Sequence, residues 1–369
     1  MHKFNFHLTN ACNYNCTYCF GKFVKAQPLP LEQACAVIDN IADYFRRNKI
    51  TNGSINLAGG EPLLYPHLDE LIDYIHAYRI KVSLITNGSL LSETRIALWR
   101  GKVDCIGLSL DSANPSTNAE IGRICNNKTL SLKRAITITQ AIHRNDIRLK
   151  INTVVSKFNA GEDFTEFYKR LKPDRLKFLQ MSLVDDVNDR AEKYAITPRE
   201  FEQFCKRHKD CCHSLVCEGE GDMQNSYSMI DPKGDFLLNN AGKYQCYGSC
   251  LEESLCKILK GVPLDKDKFN GRYEKNPASA VAEKKICVFG GHETWRKKIK
   301  KQVNARFFES GDMQSIHTIR GADEVWIQPN AISHSFYGKV LAVARSYHIA
   351  VYYFAFASAR KCAEQLLSV

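Results

Sequence analysis

The chain has 369 residues, a length that allows one large domain with or without a small second one. Its composition, 44% hydrophobic and 25% charged residues, is that of a globular protein and excludes a wholly disordered chain. The net charge of +11 is spread over many segments, which favours a phosphate-rich partner and leaves nucleotides, nucleic acids and membrane surfaces open.

The amino terminus begins with a strand pattern, not with a signal peptide or an amphipathic anchor helix. No apolar run approaches the ~20 residues that span a bilayer, so we expect a cytoplasmic protein that does not use a membrane. The chain has 15 cysteines, and in such a compartment metal binding or catalysis is favoured for some of them over a disulfide framework.

Strand and helix patterns alternate through the first half of the chain. Strands are predicted at residues 3–9, 54–57, 82–85, 103–110, 148–155 and 175–181, and helices at 31–45, 68–78, 131–143 and 164–171. This repeat predicts a parallel sheet, and six units are too few for a closed eight-stranded barrel. We expect an α/β fold with a partial (β/α)6 barrel over residues 1–182, although periodicity alone leaves a doubly wound sheet open.

The rest of the chain divides into two further segments. Residues 183–275 are less regular and carry a predicted hairpin, with strands at 226–230 and 235–238. A linker is predicted at 273–282. The last segment, residues 276–369, comprises most of this linker and a small α/β, Rossmann-like domain over 283–369. Its predicted strands are 285–291, 324–327 and 350–354, and its predicted helices are 295–303 and 336–346.

A cysteine triplet follows the first predicted strand. Cys12, Cys16 and Cys19 lie on one short loop, and three such thiolates can hold three corners of a [4Fe–4S] cluster while the fourth iron stays open to another ligand. A structural zinc site is the alternative, but it needs a fourth nearby ligand, for which His7 is the close candidate. The spacing alone leaves a cluster and other uses open.

The turn Gly59-Gly60-Glu61-Pro62 follows the second strand. Its glycines let a ligand approach the backbone, and Glu61 presents a carboxylate or a backbone edge beside it; a plain tight turn is the alternative. Together with the cysteine triplet, this turn resembles the second motif of the radical S-adenosylmethionine (SAM) superfamily. That resemblance implies a cluster with SAM on its open iron, and cleavage of SAM to a 5′-deoxyadenosyl radical.

The same resemblance implies which residues surround SAM. Arg123 is expected to meet the SAM carboxylate, and the full set is Phe20, Gly59, Gly60, Glu61, Asn87, Ser89, Ser109 and Arg123. Without the resemblance, Asn87-Gly88 is an ordinary turn and Arg123 an ordinary solvated arginine.

Two predicted strands carry positive charges on one face each. Lys150 and Asn152 share a face of the fifth strand, and Arg175 and Lys177 share a face of the sixth, because side chains alternate along a strand. If these faces point inward, three cations converge, and burying them is unfavourable unless an anion such as a triphosphate compensates. The alternative is that these faces point outward and their charges are solvated. The opposite faces of the two strands carry apolar side chains that suit a helix-covered side, which favours the inward orientation; they are Leu149, Ile151, Leu176 and Phe178.

Further segments resemble viperin-like radical SAM enzymes, from about residue 4 to about residue 272. The matching segments are residues 5–9, 12–14, 19–20, 29–33, 150–155, 175–177 with Gln180, 201–209, 226–227 and 236–237. The resemblance implies that residues 183–275 close the active site. It also implies abstraction of the ribose 4′ hydrogen of a ribonucleoside triphosphate and loss of the 3′ hydroxyl as water, to give a chain-terminating, antiviral 3′-deoxy-3′,4′-didehydro nucleotide.

The viperin-like resemblance assigns substrate residues as well. Lys150, Arg175 and Lys177 are expected to hold the phosphates, Asn152 to lie near the ribose, and Tyr227 to be a candidate hydrogen donor. Asn56 and, from a looser match, Lys243 complete the expected substrate contacts. Ser54 stands where animal members have a phosphate-contacting lysine, and Ala58 replaces a serine, so CTP, UTP and GTP all remain open as substrates.

The remaining cysteines form two clusters along the chain. An auxiliary iron–sulfur cluster and ordinary thiols are both open for them, and they are Cys205, Cys211, Cys212, Cys217, Cys246, Cys250 and Cys256. The last domain resembles the small DUF2325 family, through Gly290-Gly291-His292 and Ser333-His334. An anion site at the glycines and the following helix N-terminus, with His292 and His334 as candidates, and a docking or oligomerisation module are both open for it.

Two other functions compete with the dehydratase. One is a radical SAM enzyme that modifies RNA or a peptide, favoured by the net charge, the extra cysteines and the added domain. The other is a non-catalytic sensor with a structural cluster. For an enzyme, the expected partners are the ribonucleoside triphosphate and an electron donor such as ferredoxin or flavodoxin.

Overall fold

A computed structural model describes residues 3–21, 27–269, 285–300, 303, 305–308, 316–319, 322–329, 332–347 and 349–367. The chain divides into two compact units, residues 1–280 and 281–369. The predicted linker at 273–282 lies outside the described residues. Within those residues, no helix combines the length and the apolar character needed to cross a membrane.

The first unit is built on a ten-stranded sheet in the order β10-β9-β8-β1-β2-β3-β4-β5-β6-β7. The six strands β1 to β6 are adjacent in chain order and parallel, as predicted, and each ends within two residues of its predicted bounds. The strands are β1 (Lys3–His7), β2 (Ser54–Ala58), β3 (Lys81–Thr86), β4 (Cys105–Ser109), β5 (Arg148–Val155), β6 (Arg175–Gln180), β7 (Leu215–Glu218), β8 (Met229–Ile230), β9 (Asp235–Asn240) and β10 (Lys243–Ser249).

Nine helices accompany these strands in the described part of the first unit. They are α1 (Leu31–Arg47), α2 (Leu68–Ala77), α3 (Glu93–Leu98), α4 (Pro115–Ile121), α5 (Leu132–Arg144), α6 (Thr165–Leu171), α7 (Pro198–Arg207), α8 (Glu220–Met223) and α9 (Leu255–Ile258). The longer helices bury an apolar stripe; in α1 the buried stripe is Ala34, Val37, Ile38, Ile41 and Phe45.

Alternation along the strands separates a helix-covered face from an inner face. Phe4 and Phe6 of β1, Ile55 of β2 and Leu149 of β5 are buried in one core cluster with the helices. Residues that alternate with them, such as Lys3, Ser54 and Lys150, line a cavity that β1 to β7 share, so the sheet curls around it. The fold class is confirmed as α/β with a partial barrel, and the inward arrangement of the charged faces is confirmed with it.

The segment after β6 adds strands on both sides of the six. β7 pairs in parallel with β6, and β8 pairs in parallel with β1. The predicted hairpin around Asp231 is present, with β8 antiparallel to β9, but its first strand is two residues long because only Met229 and Ile230 pair.

The second unit is a separate four-stranded parallel sheet in the order β12-β11-β13-β14. Its strands are β11 (Ile286–Gly290), β12 (Arg306–Phe308), β13 (Glu324–Gln328) and β14 (Ala350–Tyr353), and its helices α10 (Glu293–Ile299), α11 (His334–Ser346) and α12 (Ala359–Leu367). Buried clusters around Trp326 on one face and Ile327 on the other show that both faces are covered. The predicted small α/β domain is confirmed.

Candidate active site

The cysteine loop leaves the carboxyl end of β1 and lies beside the turns that follow β2 and β3. All three thiols of the triplet are partly exposed. The Cys12 thiol accepts a hydrogen bond from the Tyr14 backbone N–H (3.4 Å), and Cys16 lies 3.9 Å from the Arg123 guanidinium. Phe20, beside Cys19, is 36% exposed. The loop therefore presents three sulfurs, two of which already contact N–H donors.

This donor set fits an iron–sulfur cluster. No group of three or more His, Cys, Asp or Glu side chains in the described residues is arranged to hold a single metal ion. In a four-iron cluster each cysteine binds a different iron atom, and N–H donors near the sulfurs tune its potential. Cys12, Cys16 and Cys19 would hold such a cluster.

The two glycines of the second motif make room for the cysteine loop. Gly59 has a positive φ of 128°, and a Cβ there would lie 2.5 Å from the Thr9 carbonyl oxygen; a Cβ on Gly60 would lie 2.3 Å from that of Ala11. Gly60 N–H donates to Thr9 and Glu61 N–H donates to Ala11. These glycines therefore allow the close approach of the chain's own backbone, at Thr9 and Ala11 just before Cys12.

The Glu61 carboxylate is hydrogen-bonded within the protein. The side chain is fully buried, and it accepts hydrogen bonds from the Thr86 hydroxyl (2.6 Å) and from the backbone N–H groups of Asn87 (2.8 Å) and Leu63 (3.2 Å). Burial raises the pKa of Glu61, and these hydrogen bonds oppose the rise. The carboxylate therefore joins the turns after β2 and β3, and contact of the Glu61 backbone edge with a ligand stays a prediction.

Asn87 and Ser89 reach the cysteine loop through Asn13. The Asn87 side-chain amide donates to Asn13 Oδ1 (2.8 Å) and lies 4.0 Å from Cys12 Sγ, and Asn13 donates to Ser89 Oγ (2.8 Å). Asn13 is a site residue that the sequence analysis missed. A polar residue directly after the first cysteine was the available signal.

Arg123 is buried, not solvated as an ordinary surface arginine would be. Its guanidinium pairs with Asp111 (2.7 Å), hydrogen-bonds to the Ser109 carbonyl and lies over the Tyr14 ring at 5.5 Å. A narrow cleft brings together three residues predicted to surround SAM, Asn87, Ser109 and Arg123, with Tyr14. The Arg123 guanidinium therefore donates to both Asp111 and Ser109 inside the protein.

At the opposite, amino-terminal end of the strands, a cavity of about 660 Å³ opens inside the barrel. Lys150, Arg175 and Lys177 all line it, as the alternation predicts. Lys150 and Arg175 are register partners on β5 and β6. Burial lowers the pKa of Lys150, and nearby Arg175 lowers it further. The volume suits a small-molecule ligand, and the charge suits an anion.

Tyr227 is held between an acid and a base at this cavity. Its hydroxyl donates to Glu218, and the Lys177 ammonium contacts both the Tyr227 hydroxyl and the Glu218 carboxylate, the latter at 2.7 Å. Glu218 is 2% exposed and lies at the end of β7. The sequence analysis expected Tyr227 and Lys177 at one substrate site, and the structure places these two side chains in contact. It missed Glu218, whose strand β7 it did not predict.

Neutral polar groups lie between the two ends of the barrel. Asn56 donates to Asn5 Oδ1 (3.0 Å) and accepts from the Ser83 hydroxyl (2.9 Å). Asn152 is buried beside Gly107, where a Cβ would lie 3.2 Å from its amide nitrogen and 3.0 Å from Lys150 Cε. Gly107 therefore makes the space that Lys150 and Asn152 occupy.

Lys243 does not join the cavity. It begins β10 at the edge of the sheet, its side chain is 65% exposed, and its ammonium pairs with Asp186 at 3.3 Å. Lys243 is not among the residues that line the cavity, so its contact with phosphate stays a prediction that came from a loose match. Among the extra cysteines, Cys205 and Cys217 hydrogen-bond each other, which together with burial raises the pKa of Cys205.

The chain is similar to known proteins over its first unit. The model of the radical SAM superfamily matches residues 6–171. A protein of Flammeovirga pacifica described as an S-adenosylmethionine-dependent nucleotide dehydratase is 35% identical over 73% of this chain and 93% of its own length. One of Selenomonas ruminantium with the same description is 33% identical over 74% of this chain and 98% of its own length.

Solved structures share the fold at low identity. Streptococcus suis SuiB bound to S-adenosylmethionine superposes with a TM-score of 0.53 and 18% identity, covering 73% of this chain and 67% of that one. The protein anSMEcpe with bound AdoMet and Cp18Cys peptide gives 0.56 and 16%, covering 73% and 81%.

Proposed function

The chain belongs to the S-adenosylmethionine-dependent nucleotide dehydratases of the radical SAM superfamily, and we propose that it converts a ribonucleoside triphosphate into its 3′-deoxy-3′,4′-didehydro form. The observation that supports this product class is the position of the cation-lined cavity inside the same barrel whose other end carries the cysteine loop. A nucleotide with its phosphates at the amino ends of the strands would direct its ribose toward that loop.

The family's cofactors are a [4Fe–4S] cluster and SAM. The chemistry that they supply together is the reductive formation of a 5′-deoxyadenosyl radical, an abstractor of hydrogen atoms. In our proposal Cys12, Cys16 and Cys19 hold the cluster. Asn87, Ser89, Ser109 and Arg123 border the SAM position, and Gly59 and Gly60 keep the cysteine loop against it.

The substrate residues have separate tasks in this proposal. Lys150, Arg175 and Lys177 neutralise the phosphates through charge-assisted hydrogen bonds, which are the stronger kind. Asn152 and Asn56, in the neutral middle of the barrel, orient the ribose so that its 4′ hydrogen faces the radical.

Tyr227 would complete the reaction. After the 4′ hydrogen is removed, the 3′ hydroxyl leaves as water, and one electron and one proton balance the step. A hydrogen atom from the Tyr227 hydroxyl supplies both, and a ferredoxin- or flavodoxin-class donor reduces the tyrosyl radical again with a proton taken up. The cytoplasmic location expected from the sequence would give access to both the ribonucleoside triphosphate and the electron donor.

The test is product analysis without oxygen. Reconstituted protein is reduced with dithionite and given SAM with ATP, GTP, CTP or UTP separately, and mass spectrometry follows 5′-deoxyadenosine and a nucleotide lighter by one water. We expect both products with at least one nucleotide and neither with Cys16→Ala. If SAM is cleaved while all four nucleotides stay intact, the dehydratase proposal fails and a polymer substrate takes its place.

A further inference from the structure

Lys3 opens the first strand of the barrel and lines the same cavity as the cations of β5 and β6. Phe4 and Phe6 of β1 pack into the helix-covered core, so Lys3 and Asn5 take the opposite, inner face. In the sheet Lys3 is the register partner of Ser54, which carries no charge. The first strand therefore supplies a cation at the amino-terminal end of the barrel.

The cavity is strongly biased toward positive charge. Among the described residues that line it, six are Lys or Arg and three are Asp or Glu. Two of the acids are used locally, because Asp104 accepts the Val82 N–H (2.9 Å) and Asp174 accepts the Leu149 N–H (2.7 Å). The third, Glu218, pairs with Lys177. A polyanion would offset the remaining repulsion.

The surroundings of Lys3 disfavour the charged form of its side chain. Burial lowers the pKa of Lys3 to about 7, and Lys150, Lys177 and Arg175 lower it too, while the Cys105 thiol on β4 acts in the opposite direction. Burial also lowers the pKa of Lys150; Arg175 lowers it further, whereas Cys105 and Glu218 raise it. A phosphate chain next to Lys3 and Lys150 would favour the charged forms of both side chains.

We propose that Lys3 is a phosphate-binding residue of the nucleotide site, and that it gains a proton as the phosphates bind. This inference rests on the proposed function for the identity of the ligand, but its chemistry requires only a polyphosphate. No sequence motif assigns the residue. Its position on an alternating strand and its place in the cavity carry the assignment.

The direction of the pH effect follows from the two states. Below about pH 7 Lys3 is already charged in the free protein, so binding takes up little proton there. Above that pH the free side chain is largely neutral while the phosphate-bound one is charged, so each binding event takes up a proton. Affinity then falls as the pH rises, by up to about tenfold per unit for one proton.

The experiment uses inorganic triphosphate as the probe, so that it does not depend on the base. Calorimetry on the full, cluster-reconstituted chain at pH 6 and pH 8, in buffers of different ionisation enthalpy, gives both the affinity and the protons taken up. Lys3→Met removes the charge and Lys3→Arg keeps it at both pH values. Lys133→Met, an exposed lysine in the first turn of α5, is the matched control.

We expect Lys3→Met to weaken triphosphate binding by about tenfold to a hundredfold and Lys133→Met by less than twofold. Lys3→Arg should retain affinity and lose most of the proton uptake at pH 8. The cluster absorbance, equal in all variants, reports that the barrel is folded.

Three results would overturn the proposal: wild-type binding in Lys3→Met, undiminished proton uptake in Lys3→Arg, or no binding of triphosphate by the wild-type chain. The dehydratase proposal fails separately. Lys3-dependent triphosphate binding without any dehydrated nucleotide would leave the phosphate site standing and remove the reaction assigned to it.

Discussion

The two ends of the barrel are built on different principles. At the carboxyl ends of the strands, the cysteine loop and its neighbouring turns are fixed by backbone hydrogen bonds, close glycine contacts and internally satisfied polar groups such as Glu61. At the amino ends, cations from β1, β5 and β6 surround a cavity with fewer acids than bases. The first end is preorganised by the chain alone, whereas the second depends on a ligand to balance its charge.

The difference explains how each end would respond to mutation. A rigid end assembled from backbone tolerates little change of shape, because one added carbon atom collides with a carbonyl oxygen. An end assembled from long side chains tolerates changes of shape and responds to changes of charge. The sharpest tests of the comparison are substitutions that change shape at one end or charge at the other and measure the effect at both ends.

The largest effect is expected at the cysteine loop itself. Cys16→Ala removes one of three sulfurs that the cluster needs, so iron and sulfide content and the visible absorbance should fall to background and 5′-deoxyadenosine formation should cease. The matched control is Cys246→Ala, an exposed cysteine on β10. A Cys16→Ala protein that keeps its cluster would remove the loop from the site.

A smaller but still severe loss is expected from shape alone. Gly60→Ala places a Cβ 2.3 Å from the Ala11 carbonyl oxygen, so the cysteine loop must shift. We expect reconstituted cluster content to fall several-fold while triphosphate binding at the other end stays within about twofold of wild type. Gly161→Ala, where the new Cβ has no neighbour within 4 Å, is the control. Equal cluster content in the two variants would contradict the close-contact argument.

The two ends also differed in how far the sequence could predict them. The cysteine triplet and the glycine turn are contiguous motifs, so their position was predicted directly. The cations are distributed one or two to a strand, and alternation was enough to orient Lys150, Arg175 and Lys177 inward. Lys3 obeys the same alternation but escaped notice, because a single lysine at the start of a strand carries no pattern.

Other features depended on tertiary structure. Glu61 was expected to present its carboxylate or its backbone edge to a ligand, but two of the three hydrogen-bond donors to the carboxylate, Thr86 and Asn87, lie 25 and 26 residues away along the chain. Glu218 lies on β7, whose four residues Leu215–Glu218 are too few to show a period. Lys243 was expected near the phosphates from a loose match, whereas the structure places it on the edge strand β10 in an ion pair with Asp186.

At the amino-terminal end, Lys150→Met tests the sensitivity to charge. Loss of one charge-assisted hydrogen bond should weaken nucleoside triphosphate binding by about tenfold to a hundredfold, or roughly 1.5–3 kcal/mol. Because the cysteine loop is built independently, cluster content and SAM binding should not change. Equilibrium binding of a nucleoside triphosphate and its monophosphate separates the effects, since the loss should shrink as phosphates are removed. An equal loss for both nucleotides would place Lys150 away from the phosphate chain.

The smallest effect on binding, and the most specific effect on chemistry, is expected from Tyr227→Phe. The ring keeps its place and its contact with the Lys177 ammonium, which lies 4.8 Å from the ring centroid, but the hydroxyl that donates to Glu218 is lost. If that hydroxyl supplies the final hydrogen atom, 5′-deoxyadenosine should still form while the dehydrated nucleotide falls several-fold relative to it. Glu218→Gln separates this role from packing, because it keeps the tyrosine hydroxyl and changes only its acceptor and the partner of Lys177. An unchanged product ratio in Tyr227→Phe would assign the hydrogen atom to another donor and leave Tyr227 with the positioning of Lys177.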